Sequence, residues 1–167
     1  MALYVVTGGA GFIGSHLVEA LLARGESVRV LDDFSTGTRD NLEPFGDRID
    51  LVEGDLQRLD DVRRAVKGAD YVLHQAALRS VPRSVDNPMA TNDVNIGGTL
   101  NVLHASKEAG VKRVVSASSS SVYGAREDFP LREEMETDPL SPYAVTKLAG
   151  ENYCKVFTRL YGLETVS

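Results

Sequence analysis

Thr7-Gly-Gly-Ala-Gly-Phe-Ile-Gly14 is a glycine-rich turn, and the segments on either side of it decide the fold. Residues 3–6 before it (Leu-Tyr-Val-Val) are short, apolar and rich in β-branched and aromatic types, as is typical of a buried strand. Residues 15–24 after it place leucine and valine at helical spacing, and a glycine follows as a helix stop. Residues 28–31 form a second strand candidate that ends in Asp32. The order of strand, glycine turn, helix, strand and acidic residue predicts a mononucleotide-binding βαβ unit.

The glycines of this turn suit a phosphate-binding loop. We expect Gly8 and Gly9 to form a tight turn with positive φ, and Gly11 to let a pyrophosphate approach the backbone. Because Gly14 has no Cβ, the helix can lie close to the strand, with its first N–H groups facing the phosphates. Asp32 can accept hydrogen bonds from both hydroxyls of an adenosine ribose, which favours NAD over NADP. The alternative is a structural glycine turn that binds no ligand.

Composition is that of an ordinary globular protein with one domain, residues 1–167. Of these 167 residues, 43% are hydrophobic and 25% are charged, which suits one substantial core. The net charge of −6 argues against a nucleic-acid partner, because nucleic-acid binding usually needs a basic face. The single cysteine, Cys154, forms no internal disulfide and fits a reducing compartment. With no membrane-length apolar run and no signal peptide, we expect a cytoplasmic protein without membrane association.

Strand and helix patterns continue to alternate along the chain. This order predicts a doubly wound, Rossmann-like α/β fold, in which a parallel sheet has helices on both faces. Ser141 and Pro142 form a strong helix start, as N-cap and first helical residue. A charged, proline-containing segment before them is predicted to be a surface loop. The predicted helices are 60–67, 88–109 and 142–161, the predicted strands are 49–53, 71–74, 111–116 and a truncated sixth at 163–167, and the loop is 125–139.

Tyr143 and Lys147 lie four residues apart in the last predicted helix. At this spacing their side chains share one face of the helix, with Cβ atoms about 5–6 Å apart. An ammonium group near a phenol favours the phenolate, which suits proton transfer near neutral pH. Taken alone, such a pair is more often a packing tyrosine beside a solvated lysine. The dinucleotide-binding pattern and the serine run at 118–121 upstream favour the catalytic interpretation.

Seven motifs run along the chain in the order found in one known family. They are Thr7-Gly-Gly-Ala-Gly-Phe-Ile-Gly14, Asp32-Asp33, Gly54-Asp-Leu56, His74-Gln-Ala-Ala77, Asn95-Ile-Gly-Gly-Thr99, Ser118-Ser-Ser-Ser-Val-Tyr-Gly124 and Ser141-Pro-Tyr-Ala-Val-Thr-Lys147. The chain resembles the extended short-chain dehydrogenase/reductase superfamily. Within it, the chain is most similar to the NAD-dependent nucleotide-sugar epimerases and dehydratases, particularly the UDP-glucose and UDP-N-acetylglucosamine 4-epimerases. The motifs cover nearly the whole chain, so the resemblance is specific.

The resemblance implies a binding site for NAD. It places Asp55 and Leu56 at the adenine ring, Asn95 as a support from the long helix, and Lys147 at the nicotinamide ribose. Phe12 and Ile13 would pack under the cofactor or in the core. The full set of implied NAD contacts is Gly8, Gly11, Phe12, Ile13, Gly14, Asp32, Asp33, Ser35, Thr36, Gly37, Asp55, Leu56, Gln75, Ala76, Ala77, Arg79, Asn95, Tyr143 and Lys147.

The resemblance also implies a catalytic set of Ser119, Tyr143 and Lys147. Tyr143 would take the proton from the C4 hydroxyl of a UDP-sugar while Ser119 hydrogen-bonds that hydroxyl. NAD would take the C4 hydride and return it to the opposite face of a 4-keto intermediate, so that it is regenerated. The substrate would be UDP-glucose or UDP-galactose, or their N-acetyl analogues. The loop at residues 80–84 resembles one in epimerases that accept UDP-N-acetylhexosamines as well as UDP-hexoses, and the alternative is a proline-stiffened loop.

Two neighbouring serines favour an epimerase over a dehydratase. Dehydratases of this family follow the catalytic hydroxyl residue with Asp-Glu, an acid/base pair that serves to expel water. This chain has Ser120 and Ser121 there, and neither side chain titrates near neutral pH.

The resemblance covers a cofactor-binding domain, whereas family members are about twice as long and carry a C-terminal substrate domain. Because remote substrate contacts normally position the reacting centre, we expect an intact NAD site with weak or no turnover. Two alternatives stay open. One is a non-catalytic NAD-binding module, and the other is an NAD-dependent dehydrogenase of the same superfamily.

The resemblance further implies a homodimer in which helices 88–109 and 142–161 form a bundle. The candidate apolar contacts, which could equally face the sheet, are Val94, Leu100, Val102, Val156, Phe157 and Leu160.

The three histidines are not expected to be catalytic or metal-binding residues. His74 closes a buried strand, so we expect a hydrogen-bonded core histidine rather than a base. His16 and His104 have no carboxylate or cysteine partners at ligand spacing, so no metal site is predicted.

Overall fold

The computed structural model describes all residues from 1 to 167 and contains one sheet of six parallel strands. The order across the sheet is β3-β2-β1-β4-β5-β6, which confirms the doubly wound, Rossmann-like prediction. The order reverses between β1 and β4, and ligands of such sheets bind at the carboxyl ends of the strands there. In chain order the strands are β1 (Leu3–Thr7), β2 (Ser27–Asp32), β3 (Ile49–Glu53), β4 (Tyr71–His74), β5 (Arg113–Ser116) and β6 (Glu164–Val166).

Six α-helices lie between and beside these strands. They are α1 (Phe12–Ala23), α2 (Leu59–Val66), α3 (Val81–Asp86), α4 (Pro88–Asn92), α5 (Gly98–Glu108) and α6 (Pro142–Tyr161). A π-helical turn, Asp93–Gly97, joins α4 to α5, and short 3₁₀ segments lie at Arg39–Asn41, Glu43–Arg48 and Ser120–Tyr123. None of the helices combines the length and the apolar character needed to cross a bilayer.

The core has two layers because side chains alternate between the faces of the sheet. Val5, Val72 and Val114 are fully buried on one face, where α2, α5 and α6 cover them. Val6 and Val30 are fully buried on the other face, beneath α1 and the 3₁₀ segment at residues 43–48. Each such valine contributes roughly 1.5–3 kcal/mol through the apolar surface that it buries.

Helix α6 has the bounds that its end signals predict. The Ser141 hydroxyl accepts a hydrogen bond from the Ala144 N–H at 3.2 Å, and Pro142 follows as the first helical residue. Gly162 ends the helix with φ of +70°, a left-handed conformation that glycine adopts without strain. This fixed start places Tyr143 in the first turn of the helix.

Several predicted boundaries are wrong for identifiable reasons. Helix α1 starts at Phe12 rather than Ser15, because Gly11 already serves as its N-cap. Helix α3 lies where a loop was expected, with the Ser80 hydroxyl accepting from the Arg83 N–H. Strand β5 starts at Arg113 rather than Val111, because the Val111 N–H is bonded to the end of α5.

The structure separates the candidate dimer contacts into those that face the sheet and those that stay exposed. Val102 and Phe157 are buried in the core of this chain, and Leu100 packs against that core, so none of the three forms a free helix surface. Val94 lines a groove at the sheet edge. Val156 and Leu160 are exposed on α6 and stay candidates.

The approach of α1 to the glycine turn leaves no room for a side chain at Gly14. A Cβ there would collide with the Gly8 carbonyl oxygen and lie 2.7 Å from the Gly9 Cα. Gly97, in the turn between α4 and α5, has no neighbouring atom within 4 Å of such a Cβ. The two positions therefore form a matched pair for substitution.

We predict that Gly14→Ala lowers the free energy of unfolding by roughly 2–3 kcal/mol, because backbone must move to admit the methyl group. Gly97→Ala should change it by at most about 1 kcal/mol, in the stabilising direction, since alanine favours helix. Urea unfolding followed by circular dichroism measures both. Equal stability of the two variants would contradict this packing.

Candidate functional site

The turn after β1 has the tight geometry that phosphate binding requires. Gly8 has φ of +69°, and a Cβ there would lie 2.8 Å from the Ala76 Cα. Gly9 does not have a positive φ, contrary to expectation; it is needed because a Cβ there would lie 2.6 Å from a Val30 methyl carbon. The Gly11 N–H donates to the Gly8 carbonyl at 3.1 Å and closes the turn.

The N-terminus of α1 presents backbone donors to this turn. Its N-cap, Gly11, has no side chain to cap the helix, and no acidic residue lies in its first turn. The first N–H groups of a helix have no intrahelical acceptor, and together with the helix dipole they favour an anion. Phe12 and Ile13 are 70% and 57% exposed, so of the two expected placements, under the cofactor or in the core, the core placement is wrong. The turn and helix start fit a pyrophosphate.

Asp32 links the end of β2 to the glycine turn. Its Oδ2 accepts from the Ala10 N–H and its Oδ1 from the Phe34 N–H, both at 2.9 Å. Burial raises the pKa of this carboxyl, while the two backbone bonds act in the opposite direction. Each carboxylate oxygen has a second lone pair, so Asp32 can still accept from ligand hydroxyls at the groove. This arrangement fits a ribose diol.

A groove with a volume of about 280 Å³ runs along the carboxyl ends of β1, β2 and β4. It brings together most of the predicted cofactor contacts: Gly8, Gly11, Phe12, Ile13, Gly14, Asp32, Asp33, Ser35, Thr36, Gly37, Asp55, Leu56, Ala76, Ala77 and Arg79. A second hollow adjoins it and shares Ser35, Thr36, Ala77 and Arg79. Four predicted contacts do not line the groove: Gln75, Asn95, Tyr143 and Lys147.

Five groove residues were not predicted. Leu31, Gly54 and Leu78 adjoin predicted contacts and could have been included on that ground. Asn41 reaches the groove because its Nδ2 donates to the Ala10 carbonyl at 2.7 Å, and Val94 comes from the π-helical turn. No sequence signal distinguishes these last two.

Asn95 lies behind the groove and supports the loop after β4. Its Oδ1 accepts from the Leu78 N–H at 2.8 Å, and its Nδ2 donates to the Leu78 carbonyl at 3.1 Å. The same Nδ2 donates to the Thr146 hydroxyl at 3.0 Å. Asn95 therefore joins the groove to α6.

His74 is a fully hydrogen-bonded core residue, as predicted. The Thr99 hydroxyl donates to the Asn95 carbonyl at 2.5 Å, so it accepts from His74 Nε2–H at 3.0 Å. His74 Nδ1 then accepts from the Thr7 hydroxyl at 2.7 Å. Burial, with the Lys147 charge as a smaller cause, lowers the pKa of His74 to about 3. The ring is neutral at any pH at which a general base would act.

Tyr143 and Lys147 share one face of α6, as predicted. The Lys147 Nζ lies 5.9 Å from the centroid of the Tyr143 ring and donates to the Ala117 carbonyl at 2.8 Å. Burial lowers the pKa of Lys147 to about 8, so the side chain is mostly charged at neutral pH. The Tyr143 N–H donates to the Ser84 hydroxyl at 3.1 Å, which links α6 to α3.

Ser119 is the N-cap of the 3₁₀ segment Ser120–Tyr123 after β5. Its Oγ accepts from the Ser121 N–H at 3.2 Å and lies 2.7 Å from the Ser121 Oγ. Ser119 lines one hollow of this edge, and Lys147 lines an adjacent cleft together with Asn95. Ser118 and Glu151 line both.

The sequence profile of the NAD dependent epimerase/dehydratase family matches residues 4–167. The chain belongs to this family. The family's cofactor is NAD.

Three relatives illustrate the range of the family. A UDP-glucose 4-epimerase from Mycolicibacterium smegmatis is 42% identical over 164 residues, which are 96% of this chain and 52% of the relative. The structure of a UDP-N-acetylglucosamine 4-epimerase from Methanobrevibacter ruminantium M1, in complex with UDP-N-acetylmuramic acid, superposes with a TM-score of 0.92 at 41% identity over 98% of this chain and 53% of that one. A dTDP-glucose 4,6-dehydratase from Streptomyces venezuelae with NAD bound gives 0.93 at 36% identity over the same shares, 98% and 53%.

Fold similarity alone does not separate the two activities, since epimerase and dehydratase superpose equally well on this chain. The chain also spans about half the length of the relatives it matches.

The depressed pKa of His74 predicts a pH-dependent stability. Below its ordinary pKa of 6.5 the unfolded chain binds a proton that the folded chain does not accept until about pH 3. The contribution of His74 to the free energy of unfolding is therefore fully present above pH 6.5. Below that pH it falls by about 1.4 kcal/mol per pH unit. Urea unfolding of the wild type and His74→Gln between pH 7 and pH 4 should show curves that converge as the pH falls. His16→Gln, at an exposed position, is the control. Curves of wild type and His74→Gln that stay parallel would contradict the assignment.

Proposed function

We propose that this chain binds NAD in the groove and supplies the cofactor-binding and proton-transfer part of a UDP-sugar 4-epimerase. The observation that carries the proposal is the connection of the groove, through Asn95, to the helix that bears the half-buried Lys147 beside Tyr143. The backbone donors of α1 would hold the pyrophosphate and Asp32 the adenosine ribose. Arg79, which has no ion-pair partner in the chain and lines the groove, would add a positive charge there.

NAD, when bound, supplies reversible acceptance of a hydride. Tyr143 would take the proton of the C4 hydroxyl and return it, while the charge of Lys147 favours the phenolate during the transfer. Lys147 would also hold the nicotinamide ribose. Ser119 would hydrogen-bond the reacting hydroxyl and keep it beside Tyr143. Gln75 would lie along the centre of the cofactor.

The residues after Ser119 favour epimerisation over dehydration. Loss of water across a carbon–carbon bond needs an acid to protonate the leaving hydroxyl. Ser120 is exposed, and the Ser121 hydroxyl is bonded to Ser119, so neither supplies such an acid. The substrate class that we propose is a UDP-hexose or its N-acetyl analogue, with slow turnover by this chain alone. We further propose a homodimer through α6, with Val156 and Leu160 as contacts.

The test uses the purified chain with NAD and either UDP-glucose or UDP-N-acetylglucosamine, without added reductant. Calorimetry measures NAD binding, and proton NMR measures inversion at C4. We expect NAD to bind more tightly than NADP and C4 to invert without accumulation of NADH. Net NADH release would favour a dehydrogenase, and NAD binding without either reaction would favour a non-catalytic module. Absence of NAD binding would overturn the proposal.

We predict that Tyr143→Phe reduces the rate of C4 inversion by at least about 100-fold, because the proton-transfer group is lost. NAD affinity should change less than about threefold, since the backbone and Asp32 contacts are intact. Tyr161→Phe, the same change at an exposed position on α6, is the control. A Tyr143→Phe variant with wild-type inversion would exclude the assigned role.

A further inference from the structure

Glu151 continues the face of α6 that carries the proposed catalytic residues. It lies four residues after Lys147 and eight after Tyr143, so the three side chains follow one another along the same side of the helix. Its Oε1 accepts a hydrogen bond from the Ser118 hydroxyl at 2.5 Å. Ser118 precedes Ser119, the residue proposed to hold the sugar hydroxyl. This helix face therefore contacts the serine loop beyond Lys147.

Two consecutive residues of the loop are bonded to α6. The Ala117 carbonyl accepts from Lys147 Nζ at 2.8 Å, and the Ser118 hydroxyl donates to Glu151 one helical turn further on. A single bond would leave the chain free to rotate about it. Two bonds from adjacent residues fix the rotation of the loop relative to the helix.

The serine loop has few other attachments near Ser119. Before it, the Ala117 N–H donates to the His74 carbonyl at 3.0 Å and continues the sheet. After it, Val122 is buried with 1% exposure. Between these points, the Ser119 and Ser121 side chains bond only each other, within the loop. The Ser118–Glu151 bond is thus a side-chain hydrogen bond that ties this stretch to α6, beside the packing of the buried Val122.

We propose that Glu151 is a positioning residue that, through Ser118, holds the Ser119 hydroxyl in place for the reaction proposed above. Its consequence for catalysis rests on the proposed function, whereas its effect on the loop does not. Glu151 contacts neither substrate nor cofactor in this scheme. It acts by limiting the motion of the serine loop relative to the helix.

The first test measures the loop itself. Amide hydrogen exchange followed by NMR reports the Ser121 N–H, which is bonded to the Ser119 hydroxyl. In Ser118→Ala and Glu151→Ala this amide should exchange at least about 10-fold faster, because local opening of the loop becomes easier. Glu151→Gln retains an acceptor oxygen and should stay within about threefold of the wild type. Ser120→Ala and Asn152→Ala, at exposed neighbouring positions, should leave the exchange rate unchanged.

The second test measures catalysis in the same variants. Ser118→Ala and Glu151→Ala should lower kcat by about 10-fold or more while KM and the Kd for NAD change less than about twofold, because positioning acts on the reacting geometry. Glu151→Gln should restore most of kcat. Thermal melting identifies any variant that has unfolded, in which case the Ser118→Ala result decides.

The outcomes separate this inference from the proposed function. A wild-type chain that binds NAD without turning over sugar contradicts the slow turnover proposed for this chain but not its NAD site, and the exchange measurement then decides the inference alone. Unchanged Ser121 exchange in both Ser118→Ala and Glu151→Ala overturns the positioning role. Faster exchange with an unchanged kcat in an active chain overturns it as well.

Discussion

The Asn95 side chain joins the two halves of the candidate site, and the arrangement of both depends on it. It is buried and has three hydrogen bonds, two to Leu78 in the loop after β4 and one to Thr146 in α6. In a low-dielectric interior, removal of one of these hydrogen-bonding groups leaves its partners unpaired. Each unpaired partner lowers the free energy of unfolding by about 1–3 kcal/mol. The bonds therefore hold the groove and the helix with Tyr143 at a fixed separation.

A second buried chain of hydrogen bonds reinforces this connection. It runs from the Thr7 hydroxyl through the neutral His74 ring to Thr99 and the Asn95 carbonyl. Each hydroxyl can donate only one hydrogen bond. The tautomer of His74 and the donor–acceptor direction of every bond in this network are therefore determined together. Such satisfied networks favour one arrangement of the core over its alternatives. The end of β1, where the glycine turn begins, is thereby tied to the same support as α6.

Local signals predicted the elements that position the site. The glycine turn predicted the βαβ unit. The Ser141 cap and Gly162 predicted the two ends of α6. The helix at residues 81–86 was missed although Ser80 and Pro82 are a cap and an early-helix proline, because the segment is short and polar. The π-helical turn at Asp93–Gly97 was missed because no residue pattern specifies it. Within this turn Val94 lines the groove, whereas Asn95 lies behind it and is bonded to Leu78.

The pairing of distant residues was the harder part to predict. Which apolar side chains of α5 and α6 face the sheet depends on helix rotation, so the sequence left open whether Val102 and Phe157 face the sheet or a partner; both lie in the core. The bond between Ser118 and Glu151 joins residues that are 33 positions apart. Only the fold brings them together, whereas Tyr143 and Lys147 meet through helical spacing alone.

A crystal structure of the chain grown with NAD tests the central claim most directly. We expect the dinucleotide along the groove, its pyrophosphate at the start of α1 and its nicotinamide ring beside Tyr143, with Lys147 at the adjoining ribose. A groove that stays empty at saturating NAD, or a Tyr143 hydroxyl directed away from the bound ring, would contradict the account.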